Sequence, residues 1–123
     1  MSEISNTLLK QRLRNRIIES LDAFADEETV GVVGTDEIIE IWYDYMDDDR
    51  LSFYDSPVFC SEEVNAIKRF HNLLEGSYKK VPSTWKLGEL SSCNEWSALV
   101  TAAREEHAIF MERGLFDEER EIT

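Results

Sequence analysis

The segment Ser5-NTLLKQRLRNRIIESLDAF-Ala25 decides the fold. Leu9, Leu13, Ile17, Leu21 and Phe24 recur in it at steps of three and four. That spacing puts one apolar stripe along a helix. Working outward, Asp26–Glu28 breaks the pattern, and the run Val30-Gly-Val-Val-Gly34 reads as a short strand or an apolar loop. Thr35, followed by Asp36 and Glu37, reads as a helix N-cap with acids suited to the first turn. This second helix extends to about Met46 with a core stripe of Ile38, Ile39, Trp42, Tyr45 and Met46.

Ser61-Glu-Glu63 opens a third helix, with Val64, Ile67, Phe70 and Leu74 inward and Gly76 just past its end. Residues 77–93 read as a packed loop with a short helical turn. Asn94 caps a fourth helix carrying Trp96, Leu99, Val100, Ala103 and Phe110, which stops at Gly114. The expected fold is therefore all-α: about four amphipathic helices packed as one small bundle-like domain over residues 1–123. Residues 116–123 are expected to be a frayed, charged tail. The expected core contains Leu13, Ile17, Leu21, Ile38, Trp42, Ile67, Phe70, Leu99, Ala103 and Phe110.

The chain has 123 residues, 42% of them hydrophobic, which is enough for one core without disulfide staples. Two cysteines, Cys60 and Cys93, are too few for a secreted disulfide framework. They read as reduced thiols, with a single bridge as the alternative, and the expected compartment is the cytoplasm. No apolar leader precedes Lys10, Arg12, Arg14 and Arg16, and no run is long enough to span a membrane.

The net charge of −13 is unevenly placed: Asp26–Glu63 holds 13 of the 26 carboxylates and one cation, Arg50. A field of this sign repels nucleic acid and anionic membranes and attracts a basic protein. On the second helix Glu37, Glu40, Asp44 and Asp47 fall at steps of three, four and three, and Asp48 joins their face. Such a face can be merely solvated. Yet Glu40–Asp44 and Asp44–Asp48 are like-charge pairs, each costing roughly 0.2–0.5 kcal/mol. Asp47, Asp48 and Asp49 also lie near the expected C-terminal end of the helix, where its dipole disfavours anions. Local rules are most often broken at functional sites. Beside these acids, Leu51-Ser-Phe-Tyr-Asp-Ser-Pro57 places Phe53, Tyr54 and Asp55 in an irregular stretch suited to a binding surface, or to aromatics folded back on the core.

The order of helix, acidic helix, aromatic segment with Tyr and Pro, then helix resembles the colicin-nuclease immunity proteins over about residues 35–75. More broadly it is similar to toxin-immunity proteins, including those of contact-dependent inhibition systems. That family comprises small acidic all-α inhibitors that bind a basic bacterial toxin domain. The resemblance implies toxin contacts by Glu37, Glu40 and Asp44 and by the aromatic pair Phe53 and Tyr54. Phe53 stands where the family has the first Tyr of its Tyr-Tyr-Pro segment, and Asp55 and Ser56 precede Pro57. The helix beyond Asn94 is an addition to the family pattern.

The expected function is an acidic inhibitor or immunity protein that occludes a basic partner, most plausibly a bacterial nuclease toxin. The alternative is a regulatory or adaptor interaction module without inhibitory activity. The expected partner-binding residues are Glu37, Glu40, Asp44, Asp47, Asp48, Asp49, Phe53, Tyr54 and Asp55. The chain is not read as an enzyme, since no nucleophile motif or phosphate loop occurs. No metal or cofactor is expected. The twelve-residue span Asp44–Asp55 has Asp49 where a calcium loop needs Gly, and Met46 at its third position. His71 and His107 lie on apolar stripes and read as core or boundary residues.

Overall fold

The computed structural model describes residues 5–46, 54 and 57–122. Among them there are six α-helices and no strand: α1 (Asn6–Ala25), α2 (Glu27–Val33), α3 (Thr35–Tyr45), α4 (Ser61–Ser77), α5 (Leu87–Leu90) and α6 (Asn94–Met111). A 3-10 turn, Tyr78–Lys80, follows α4. The all-α expectation holds, with two short helices beyond the four expected. Of residues 77–93, Ser77 ends α4 and the rest form a loop carrying that turn and the one-turn α5, much as anticipated.

The segment read as a strand or apolar loop is instead α2. Asp26 caps it, accepting from the Glu28 N–H at 3.1 Å and from the Thr29 hydroxyl at 2.9 Å. Glu27 and Glu28 occupy the first turn, where the helix dipole favours acids. Val30 is buried, and that contact overrides the weak helix propensity of Gly31 and the valines. Gly34, at φ +85°, ends α2 and caps α3, so Thr35 is the first residue inside α3 rather than its cap. Gly76 likewise falls inside α4 rather than beyond it.

α6 packs on both α1 and α4, and α1 also packs on α3, so α1 sits centrally. An aromatic chain runs through the core. Phe24 meets Phe70 edge-on with ring centroids 5.0 Å apart, and Phe70 meets Trp42 at 4.7 Å. Nine of the ten expected core residues are buried. Leu13 is half-buried and Leu9 is 42% exposed, whereas Gln11, Arg14 and Asn15 are buried. The first turns of α1 thus bury a polar face.

That polar face binds residues 114–122, which are tied down rather than frayed. Gln11 Nε2 donates to the carbonyls of Asp117 and Arg120, both at 2.8 Å, and its Oε1 accepts from Ile122 N at 2.8 Å. Asn15 brackets Phe116, donating to its carbonyl at 2.8 Å and accepting from its N–H at 2.9 Å. Gly114, at φ +75°, turns the chain out of α6 and into this strap.

Arg14 is fully buried. Its guanidinium meets both Glu63 carboxylate oxygens, at 3.2 and 2.8 Å, and donates to the carbonyls of Phe110 and Gly114 at 2.9 and 2.6 Å. Phe116 covers it, with the ring centroid 3.9 Å from Cζ. Arg113 approaches the same carboxylate, its Nη2 2.5 Å from Glu63 Oε1. Burial alone would raise the Glu63 carboxyl, but the two guanidiniums and the Cys60 N–H outweigh it and hold it below its ordinary value.

Candidate functional site: the acidic face of α3 and its groove

Two bonds from the 81–86 loop fix the start of α3. Thr35 N donates to the Thr84 carbonyl at 2.9 Å, and Thr84 N donates back to Thr35 Oγ1 at 3.1 Å. The Thr35 hydroxyl donates in turn to the Pro82 carbonyl at 2.6 Å. The loop passes so close to Gly34 that an added Cβ would lie 3.5 Å from the Thr84 carbonyl oxygen. One residue on, the Ser83 hydroxyl bonds the Asp36 carboxylate.

On its inner side α3 is anchored by Ile38 and Trp42, both buried. Trp42 Nε1 donates to His71 Nδ1 at 3.1 Å. An indole nitrogen can only donate, so Nδ1 carries no proton and the ring proton of His71 is on Nε2. That nitrogen faces the Glu75 carboxylate, with Oε1 at 3.2 Å. His71 is therefore a buried core histidine that links α3 to α4, with the Glu75 carboxylate beside its outer nitrogen.

The expected acids Glu37, Glu40 and Asp44 are exposed together on the outer face of α3. Five of the described arginines pair elsewhere: Arg12 with Glu119, Arg14 and Arg113 with Glu63, Arg16 with Glu19 and Glu118, and Arg69 with Glu106. Among the described residues no cation lies within ion-pair distance of Glu37 or Glu40. Asp47, Asp48, Asp49, Phe53 and Asp55 fall outside the described residues.

Tyr54 departs from the expectation of a surface anchor. It is 3% exposed, its ring lies edge-on to Phe59 with centroids 5.1 Å apart, and its hydroxyl donates to the Tyr45 carbonyl at 2.5 Å. The phenol thus satisfies the last turn of α3 instead of facing solvent, and it leaves the list of contact residues.

Sequence reasoning missed a groove beside the acidic face. Asp36, Ile39, Glu40, Tyr43, Glu75 and Tyr78 enclose about 440 Å³ between α3 and the C-terminal end of α4. Tyr43 packs edge-on against both His71 and Tyr78, with centroids 5.7 and 6.1 Å apart. The i,i+4 step from His71 to Glu75 was readable in the sequence. Tyr78 lies in the least periodic stretch, and nothing local announced its approach to Tyr43.

Among the described residues no group of three or more His, Cys, Asp or Glu side chains is placed to hold a metal ion. Cys60 and Cys93 are free thiols. Among the same residues no helix is long and apolar enough to cross a membrane. No family model, curated protein or solved structure matches the chain.

Proposed function

We propose that this protein binds a basic protein partner through the outer face of α3 and blocks it by occlusion, as an acidic inhibitor of the immunity type. A bacterial nuclease toxin is the partner class in view, because carboxylates on a rigid helix can imitate the phosphates that such an enzyme binds. One observation carries the reading. Arg14, Arg16, Arg69 and Arg113 pair with acids on α1, α4, α6 and the strap, while Glu37 and Glu40 receive no counter-charge among the described residues. A helix face selected for stability alone would interleave lysine or arginine at three- and four-residue steps. Exposed acids such as Glu37 and Glu40 raise association rates with basic surfaces.

A second reading, an adaptor without inhibitory activity, is favoured by a different surface. Val32 and Val33 at the end of α2, Trp85 in the loop that fixes the start of α3, and Leu87 at the start of α5 are 78%, 43%, 63% and 40% exposed. Large apolar side chains grouped at a surface often mark a second contact.

The test is affinity capture with the full chain as bait from its native cell, followed by mass spectrometry and an activity assay of the captured protein. The inhibitor reading expects a basic protein whose activity is lost on binding. Capture of a basic protein that keeps its full activity transfers the case to the adaptor reading, and capture of an acidic partner overturns both the charge argument and the inhibitor.

A further inference from the structure

The groove beside α3 combines three features that rarely coincide: a concave space, two aromatic walls and a carboxylate rim. We propose that it receives an arginine side chain of the basic partner. This deepens the proposed function and rests on its claim that the partner is basic.

The walls suit a guanidinium. Tyr43 and Tyr78 meet at 71°, so one ring turns its edge to the face of the other. A planar cation stacks on a tyrosine face and is held by the ring quadrupole. Tyr78 already has a cation near its ring: Lys79 Nζ lies 5.9 Å from the centroid. Ile39 offers an apolar surface for the methylene stem of an incoming side chain.

Two of the rim carboxylates have polar neighbours. Asp36 is bonded by the Ser83 hydroxyl, and Glu75 is faced by His71 Nε2, whose ring is itself set by Trp42. Glu40 stands exposed at the mouth. Charge complementarity selects a cation, since no Lys, Arg or His side chain contributes to the groove lining. Arginine is favoured over lysine because its guanidinium is planar, less strongly hydrated and able to bridge two carboxylate oxygens.

The experiment is a two-dimensional NMR titration of the full chain with N-acetyl-arginine amide. The citrulline counterpart serves as a neutral control of equal length, and the lysine counterpart as a cation without the planar guanidinium. Weak, saturable binding is expected with arginine, with shift changes centred on Ile39, Tyr43, Glu75 and Tyr78, and none with neutral citrulline. Tyr78→Ala and Glu40→Gln should each weaken it by roughly fivefold or more. Glu40 is exposed, so its substitution leaves the fold intact and keeps the test decisive even if Tyr78→Ala unfolds. Equal binding of the lysine counterpart, shifts spread over the whole acidic surface, or indifference to Glu40→Gln would each overturn the assignment.

The parent reading fails separately. If the captured partner binds the Tyr78→Ala and Glu40→Gln variants with unchanged affinity, the groove proposal falls and the acidic face stands. If association is indifferent to Glu37→Lys and Asp44→Lys, neither of which lines the groove, the acidic face itself is not the contact.

Discussion

Arg14 and Glu63 form a fully buried ion pair that joins α1 to α4, with Nη2 and Oε2 2.8 Å apart across 49 positions of sequence. The pair is satisfied almost completely, because Arg14 also reaches two carbonyls and Glu63 also receives Arg113 and the Cys60 N–H. Breaking such a pair strands the surviving charge in the core. Arg14→Met should therefore cost about 3–5 kcal/mol of unfolding free energy. Arg113→Met, at a position one-third exposed, should cost much less. Urea denaturation of the three proteins checks the order, and equal losses would show that Glu63 draws the same benefit from both arginines.

The same pair sets a pH dependence. The Glu63 carboxyl is held below its ordinary value of 4.5 in the folded protein, so it ionises more readily folded than unfolded. Its contribution to stability is fully present above that ordinary value and is lost as pH falls through the depressed folded value. The wild-type protein should lose stability as pH is lowered from about 5 toward 3. In Glu63→Gln the slope over that window should be shallower. Parallel slopes in a pH series of urea melts would refute this.

Trp42 separates packing from hydrogen bonding in one position. Trp42→Ala removes a buried indole and should cost about 3–5 kcal/mol. His71→Ala keeps the indole but leaves its N–H without the Nδ1 acceptor, at a cost of about 1–3 kcal/mol in addition to lost packing. Thermal melts of both variants give the comparison, and a His71→Ala protein as stable as wild type would mean that water replaces the imidazole.

Gln11 tests the strap. A single amide makes three bonds to residues 117–122. Gln11→Ala should cost about 1–3 kcal/mol. It should also raise amide hydrogen exchange at Ile122, whose N–H loses its acceptor. Unchanged exchange there would show that the strap is held by other contacts.

On the acidic face, Glu37→Lys with Glu40→Lys should slow association with a basic partner by about tenfold or more at low salt. The difference between variant and wild type should shrink as ionic strength rises and exposed charges are screened. Surface-binding kinetics across a salt series measures both. Equal association rates would return this face to being simply solvated.

The helices that bury an apolar stripe were legible because their spacing is regular. Ile38 and Trp42 on α3, Ile67, Phe70 and Leu74 on α4, and Leu99, Ala103 and Phe110 on α6 all face inward as that spacing requires. The first half of α1 misled, since Leu9 and Leu13 repeat at the right interval while the buried positions are Gln11, Arg14 and Asn15. Periodicity registers apolar burial and is blind to a polar face that binds backbone. Glu63 was readable as a first-turn acid of α4, but its arginine partners are 49 and 50 positions away, and local rules do not reach them. The acids of α3 were found from their own spacing. The groove they border depends on Tyr43 and Tyr78 meeting across two elements, and Tyr54 was misplaced because its acceptor is a backbone carbonyl, which no side-chain pattern reveals.

The strap also dictates the order in which the molecule can be completed. Its bonds to α1 join residues 100 to 111 positions apart. At a ribosomal rate of about 5–20 residues per second, the segment around Gln11 is made roughly 5–20 s before the residues that bind it. The native state is therefore closed to the nascent chain until residues 110–122 have emerged, and long-range closure of this kind slows folding. Until then Gln11, Arg14 and Asn15 lack the strap residues that they bond in the finished fold. Polar side chains there spare the growing chain a continuous apolar surface, so the residues that secure the finished fold also protect it while it is unfinished.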